Sequence, residues 1–234
     1  VTACLKRYGA LAIWDFAGGA PYMKMEMGRG RSAKDAIVFS PHKFPGGPGA
    51  SGILVLRNEI VQLNRPTQAG GGTVQFVSPW GHHYLDNLVQ REEAGTPNIL
   101  GDIRAALVMM VKAALGQQWF DQRHTELRAQ ALGAWKNVRG LHLLGDQGLA
   151  LAPIFSFQIR DEHENLVHHQ FVTRLLSDLH GIQARGGCAC AGPYAHRLLQ
   201  IGKATSNDLL RNSFAGDEAQ QPGWMRLNLS PWRS

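Results

Sequence analysis

The sequence predicts an α/β fold: a sheet whose strand ends carry glycine-rich loops, followed by a small C-terminal α+β domain. Two observations predict it. In the first half, short apolar runs of strand length end in polar or glycine-rich turns, and a helical apolar stripe follows them. In the second half the order becomes strand, helix, strand, helix, the pattern of a small layered domain. The change falls within residues 116–135, so residues 1–120 are read as part of a larger domain and residues 121–234 as the smaller one.

Leu11 to Phe16, Ala36 to Phe39 and Gly52 to Leu56 read as buried strands. Phe44 to Gly52 and Ala69 to Thr73 are loops, rich in the residues that turn a chain. Thr96-Pro97-Asn98 starts a helix, since proline is tolerated at a helix entrance. Ile99, Ile103, Ala106, Leu107, Met110, Ala114 and Leu115 then recur at helical spacing and are expected to face the core, with Gly116 as the stop. A second helix covers Trp119 to Leu132. Leu141 to Leu144 and Ile154 to Ile159 read as strands, with Phe155, Phe157 and Ile159 on one face. Phe171, Val172, Leu175, Leu176 and Leu179 form a helix stripe that Gly181 ends.

Composition narrows the function classes. The 234 residues are 44% hydrophobic, enough for a real core. The longest apolar run, Ala105 to Val111, is far short of the roughly 20 residues that span a bilayer, and the first residues lack a signal-peptide core. A cytoplasmic protein without membrane contact is expected, and the missing initiator Met suggests that the natural chain begins upstream. The net charge of +6 comes from scattered Lys and Arg, the densest cluster being Gly28-Arg29-Gly30-Arg31-Ser32, so no nucleic-acid partner is expected. Three cysteines make no disulfide framework. The pairs His82-His83 and His168-His169 are adjacent in sequence and do not face one way, so no metal site is expected. His124, His142, His180 and His196 read as surface or boundary residues.

The segment richest in chemistry is Ser40-Pro41-His42-Lys43-Phe44-Pro45-Gly46-Gly47-Pro48-Gly49, directly after a strand. Open α/β sheets bind ligands at such strand ends. A lysine held there can react with an aldehyde, and the glycines let the backbone approach a bound group. Upstream, Trp14-Asp15-Phe16-Ala17-Gly18 ends another strand with a carboxylate that could pair with a cationic ring nitrogen.

Four motifs now stand in order: D-x-A-G at Asp15, S-x-H-K-x-x-G-G-P-G at Ser40, G-G-G-T over Gly70 to Thr73, and Glu93-Ala94-Gly95-Thr96-Pro97-Asn98. In that order they resemble the class V aminotransferases, fold type I enzymes that use pyridoxal 5'-phosphate (PLP), and most of all the cysteine desulfurase and selenocysteine lyase branch. The resemblance runs from about Trp14 to Leu229. It implies that Lys43 holds PLP as a Schiff base, that Asp15 contacts the pyridine nitrogen, and that Ser40 and His42 lie at the cofactor phosphate. Gly72 and Thr73 match the segment that reaches the phosphate of a neighbouring subunit, which implies a homodimer. Arg185-Gly186-Gly187-Cys188-Ala189-Cys190-Ala191-Gly192-Pro193 is similar to the nucleophile loop of the family. In that register Cys190, not Cys188, takes the place of the catalytic thiol that passes sulfur to an acceptor protein. Arg226 matches the arginine that clamps the carboxylate of the amino-acid substrate, and Arg185 is read beside it as a second substrate contact. Gly18 departs from the pattern, standing where many relatives have Gln. The N-terminal part of the family's fold has no counterpart here, so residues 1–120 are expected to be a partial PLP-binding domain, truncated at its N-terminus. The other readings left open are a class V aminotransferase, epimerase or lyase without a thiol role, and an inactive fragment that keeps the fold.

Overall fold

The structure, a computed structural model, describes residues 1–149, 152–187, 192–214 and 222–232. The chain divides into two compact units, Val1–Phe120 and Asp121–Ser234.

The first unit opens with helix α1 (Thr2–Arg7) and strand β1 (Ile13–Asp15), followed by β2 (Ala36–Phe39) and β3 (Ile53–Leu56). β1 and β2 run parallel, with Asp15 level with Val38, and β3 returns antiparallel to β2. A 3-10 turn over Gly30–Ser32 leads into β2, and a second one over Pro41–Lys43 leaves it. Of these apolar runs β2 is the buried one, with Ile37 and Phe39 in one cluster with Phe16, Ala20, Phe44 and Val108, whereas Ile13 of β1 and Leu54 of β3, read from sequence as buried, are exposed. A hairpin of β4 (Val74–Ser78) and β5 (Gly81–Tyr84) and a short helix α2 (Leu88–Glu92) come next. Then α3 spans Ile99–Leu115; the side chain of Asn98 caps it by accepting the Gly101 N–H at 3.2 Å, and Gly116 ends it at φ 79°.

The orientation of α3 corrects the sequence reading. Ile99, Ile103, Leu107 and Met110, expected in the core, are 59%, 52%, 55% and 66% exposed. The buried side is Gly101, Ala105 and Val108. Small residues win because this side lies on the loop after β2: a Cβ at Gly101 would sit 2.8 Å from Ser51 Oγ, and Ser51 N–H donates to the Gly101 carbonyl at 3.1 Å. Large side chains could not come that close to the backbone.

Helix α4 (Gln117–Trp135) carries the chain into the second unit. There β6 (Leu141–Leu143), β7 (Ile154–Arg160), β8 (Leu166–Val167), helix α5 (His169–His180), β9 (Arg185–Gly187), α6 (Gly192–Leu198), α7 (Lys203–Phe214) and β10 (Trp224–Asn228) follow. Among the described residues the strands form one antiparallel sheet in the order β6-β7-β10-β9, with β8 paired to β7. Phe155 and Phe157 share a face and are buried, and Trp135 meets Phe155 edge-on at 4.8 Å between ring centroids. The Arg128 guanidinium lies 5.2 Å above the Phe155 ring. Gly181 ends α5 in the left-handed conformation. His124, read from sequence as a surface or boundary residue, is buried within α4. Among the described residues no helix is long and apolar enough to cross a membrane.

Candidate active site

Because β1 and β2 are parallel, their C-terminal ends open on the same edge of the sheet. Asp15 is the last residue of β1; Ser40 leaves β2 and precedes the 3-10 turn whose last residues are His42 and Lys43. One Asp15 oxygen, Oδ1, accepts the Ala17 N–H at 2.6 Å and fixes the turn after β1. Its second oxygen makes no hydrogen bond to the described residues, and neither do the side chains of Ser40, His42 and Lys43. His42 and Lys43 are exposed. The contrast with the other lysines of this unit is informative. Lys6 binds Asp35, Lys24 binds Glu26, Lys34 donates to the Glu26 carbonyl, and Lys112 donates to the Ala20 and Met23 carbonyls. Lys43 alone among them has its amine unengaged.

The loop after Lys43 is closed by its own backbone. Lys43 N–H donates to the Ser40 carbonyl, Phe44 to Pro41, Gly47 to Phe44 and Ala50 to Gly47, all at 2.8–3.0 Å. A Cβ at Gly47 would stand 2.0 Å from the Pro41 carbonyl oxygen, so no other residue fits. Arg104 of α3 donates to the Pro48 carbonyl. The remaining motifs join this scaffold. Gly95 N–H donates to the Gly71 carbonyl at 2.8 Å, and a Cβ at Gly70 would meet Ala94, so the Gly70–Thr73 and Glu93–Asn98 motifs hold each other. Gly72 is exposed at φ 82°, whereas Thr73 is fully buried with its hydroxyl donating to the Gly70 carbonyl at 2.7 Å. The Thr73 side chain thus locks this turn, and Gly72 is the part of it that faces outward.

In the second unit, β10 lies between β7 and β9, and the register sets Arg226 directly opposite Ser156 on one side and Arg185 on the other. Residues directly opposite in a sheet share a face. Ser156, Arg226 and Arg185 therefore form a row, on the face away from Phe155 and Phe157. None of the three side chains bonds to the described residues. Two guanidinium groups side by side repel, and a carboxylate between them would relieve this while accepting paired N–H bonds. Ser156 carries no signal in the sequence, because its place beside Arg226 exists only through strand register. Trp224, two residues before Arg226, is 3% exposed, and its buried indole Nε1 has no acceptor among the described residues. Strand β9 leads toward Cys188 and Cys190, which lie outside the described residues.

The residues at the β1–β2 edge fit a cofactor with three kinds of group. Lys43 offers an amine for an aldehyde, Asp15 a carboxylate oxygen for a basic ring nitrogen, and Ser40 with His42 a hydroxyl and an imidazole for an anionic end. Among the described residues no group of three or more His, Cys, Asp or Glu is placed to hold a metal ion.

A family model described as aminotransferase class-V matches residues 1–221. A probable cysteine desulfurase of Staphylococcus aureus is 29% identical over 187 residues, which are 80% of this chain and 43% of that protein. One from Staphylococcus epidermidis is 31% identical over 186 residues, with the same shares. Among solved structures, the apo cysteine desulfurase of Thermococcus onnurineus superposes with a TM-score of 0.70 at 26% identity, covering 98% of this chain and 50% of that one. A cysteine desulfurase of Escherichia coli also gives 0.70, at 22% identity, over 100% of this chain and 51% of that one, a likeness of fold. The expected α/β fold is therefore shown, and the chain spans about half the length of these relatives.

Proposed function

The chain belongs to the aminotransferase class-V family, and on that premise we propose that it carries the cofactor anchor and substrate-carboxylate clamp of a PLP-dependent, cysteine desulfurase-like enzyme. The observation that carries this reading is the β1–β2 edge, where the one unengaged lysine amine of residues 1–120 stands at the end of β2 and Asp15 at the end of its parallel neighbour.

PLP, when bound, supplies an electrophilic aldehyde and a conjugated ring that takes up electron density from the substrate. Lys43 is its covalent anchor through Nζ and afterwards moves a proton at the substrate Cα. Asp15 holds the proton on the ring nitrogen through the carboxylate oxygen that the Ala17 turn leaves open. Ser40 and His42 receive the phosphate. Arg226 and Arg185 bind and orient the α-carboxylate of the amino acid, and Ser156 is placed to contribute a hydroxyl to the same row. Cys190 takes the sulfur of cysteine and passes it to an acceptor protein. Gly72, at the tip of the turn that Thr73 locks, reaches the phosphate site of the partner in a cytoplasmic homodimer.

The test is borohydride reduction of the intact protein loaded with PLP, followed by peptide mapping and by assay of sulfide release from cysteine. A pyridoxyl adduct on Lys43 together with sulfide release that is lost in Cys190→Ala is the expected result. An adduct on Lys34, Lys112 or Lys203 overturns the anchor. An adduct on Lys43 with full activity in Cys190→Ala moves the enzyme to another class V reaction.

A further inference from the structure

The cationic segment Gly28-Arg29-Gly30-Arg31-Ser32 takes no part in the site above. In the fold its 3-10 turn packs against α1, and between them lies a cleft of about 470 Å³ lined by Ala3, Cys4, Lys6, Arg7 and Arg31. That volume lies in the range of small-molecule pockets. Three of the five lining side chains are cations. The charge of Lys6 is met by Asp35, whose carboxylate it contacts at 2.5 Å. Arg7 and Arg31 are exposed, and neither donates to any acceptor among the described residues. Two free guanidinium forks in one concavity form a receptor for a tetrahedral oxyanion, which can accept paired N–H bonds from both.

The cleft is separate from the Lys43 edge. α1 precedes β1 and the Gly30–Ser32 turn precedes β2, so in this parallel pair both lie at the N-terminal strand ends, with Lys43 and Asp15 at the other. The intervening strands span about 10 Å at roughly 3.3 Å per residue. We propose that the cleft between α1 and the Gly30–Ser32 turn binds a small phosphate-bearing anion through Arg7 and Arg31.

Cys4, an exposed free thiol in the cleft wall, provides a reporter that does not depend on activity. The intact protein is alkylated with iodoacetate, an anion, or iodoacetamide, its neutral counterpart, and the Cys4 peptide is quantified separately from those of Cys188 and Cys190. Iodoacetate should be favoured at Cys4 several-fold more in the wild type than in Arg7→Gln/Arg31→Gln. Inorganic pyrophosphate should slow the reaction at Cys4 at least threefold in the wild type and in Lys43→Ala, and leave the double variant unaffected. Succinate at matched ionic strength should protect far less. Absence of pyrophosphate protection, equal reagent preference in wild type and double variant, or equal protection by succinate would each overturn the proposal. Protection that disappears in Lys43→Ala would assign the anion to the cofactor edge and overturn it as well.

Discussion

At the N-terminal end of the β1–β2 pair, Asp35 is buried, accepts the Ala12 N–H at 2.6 Å and neutralises Lys6. At the C-terminal end of the same two strands, Lys43, Ser40, His42 and one oxygen of Asp15 have no partner among the described residues. The sheet is common to both ends, and so is the supply of charge. The difference lies in what holds the strands: at one end Asp35, Lys6 and the Ala12 N–H close on each other, with Arg7 and Arg31 left open only on the outer surface, while at the other the strand-end groups themselves stay open as a set complementary to a ligand. Polar groups that a fold leaves open at parallel strand ends mark a site more reliably than their residue types do.

Breaking the open end should have the largest effect. Lys43→Ala removes the one unengaged lysine amine of residues 1–120 and should abolish covalent cofactor attachment, read as loss of the borohydride-trapped adduct. Asp15→Asn keeps an oxygen for the Ala17 N–H and removes the charge. The cofactor should still attach while turnover falls about 10²–10³-fold, the usual loss for a charge partner in a preorganised site. Unchanged turnover would leave Asp15 as a turn residue only. Arg226→Gln should weaken amino-acid use about 10–100-fold, in line with one charge-assisted contact of about 1.5–3 kcal/mol. It should leave thermal stability equal or slightly higher, since it removes a like charge opposite Arg185. A large drop in melting temperature would show that the row is structural.

The strand-end chemistry was legible in the sequence because motif, strand and loop there are contiguous: Asp15 and Ser40 to Gly49 each carry their own context. The arginine row was legible only in part. Arg226 and Arg185 could be named from their motifs, but their side-by-side placement and Ser156 depend on register between distant strands. By resemblance Gly72 and Thr73 belong to a segment that reaches a neighbouring subunit's phosphate; the bond from the Thr73 hydroxyl to the Gly70 carbonyl is local and periodicity does not reveal it. For helix α3 the sequence marks the start as the Thr96-Pro97-Asn98 segment and the stop as Gly116; the structure puts the cap at Asn98, leaves Pro97 outside the helix and buries a different side. Hydrophobicity favoured the Ile99–Ile103–Leu107–Met110 side; close approach to the Ser51 loop selected the Gly101–Ala105–Val108 side. Val108→Ala should therefore cost about 2 kcal/mol, two buried methyls plus part of a cavity, whereas Leu107→Ala should stay within about 0.5 kcal/mol. Urea unfolding of the two variants compares the faces directly, and a larger loss for Leu107→Ala would reverse the assignment.

The closed end should respond more weakly, and to acid. The Ala12 N–H and then the Lys6 ammonium hold the Asp35 carboxyl below its ordinary range, against the opposing effect of desolvation. A carboxylate whose folded-state pKa is depressed stabilises the fold above its unfolded value, about 3.9, and this contribution is lost as pH falls through the lower folded value. Asp35→Asn preserves an oxygen for Ala12 and removes the charge, so the wild type should exceed the variant in stability by a constant margin from pH 5 to pH 8. The margin should be modest, because the Lys6 side chain is 32% exposed and solvent screens the pair. Below about pH 4 the margin should shrink as the wild-type carboxyl takes up its proton. Urea midpoints at pH 7 and along the acid limb check this. A margin that persists unchanged to pH 2 would mean that Asp35 acts through its shape and the Ala12 bond alone, and the charge contrast between the two strand ends would then rest on Lys43 and Asp15 only.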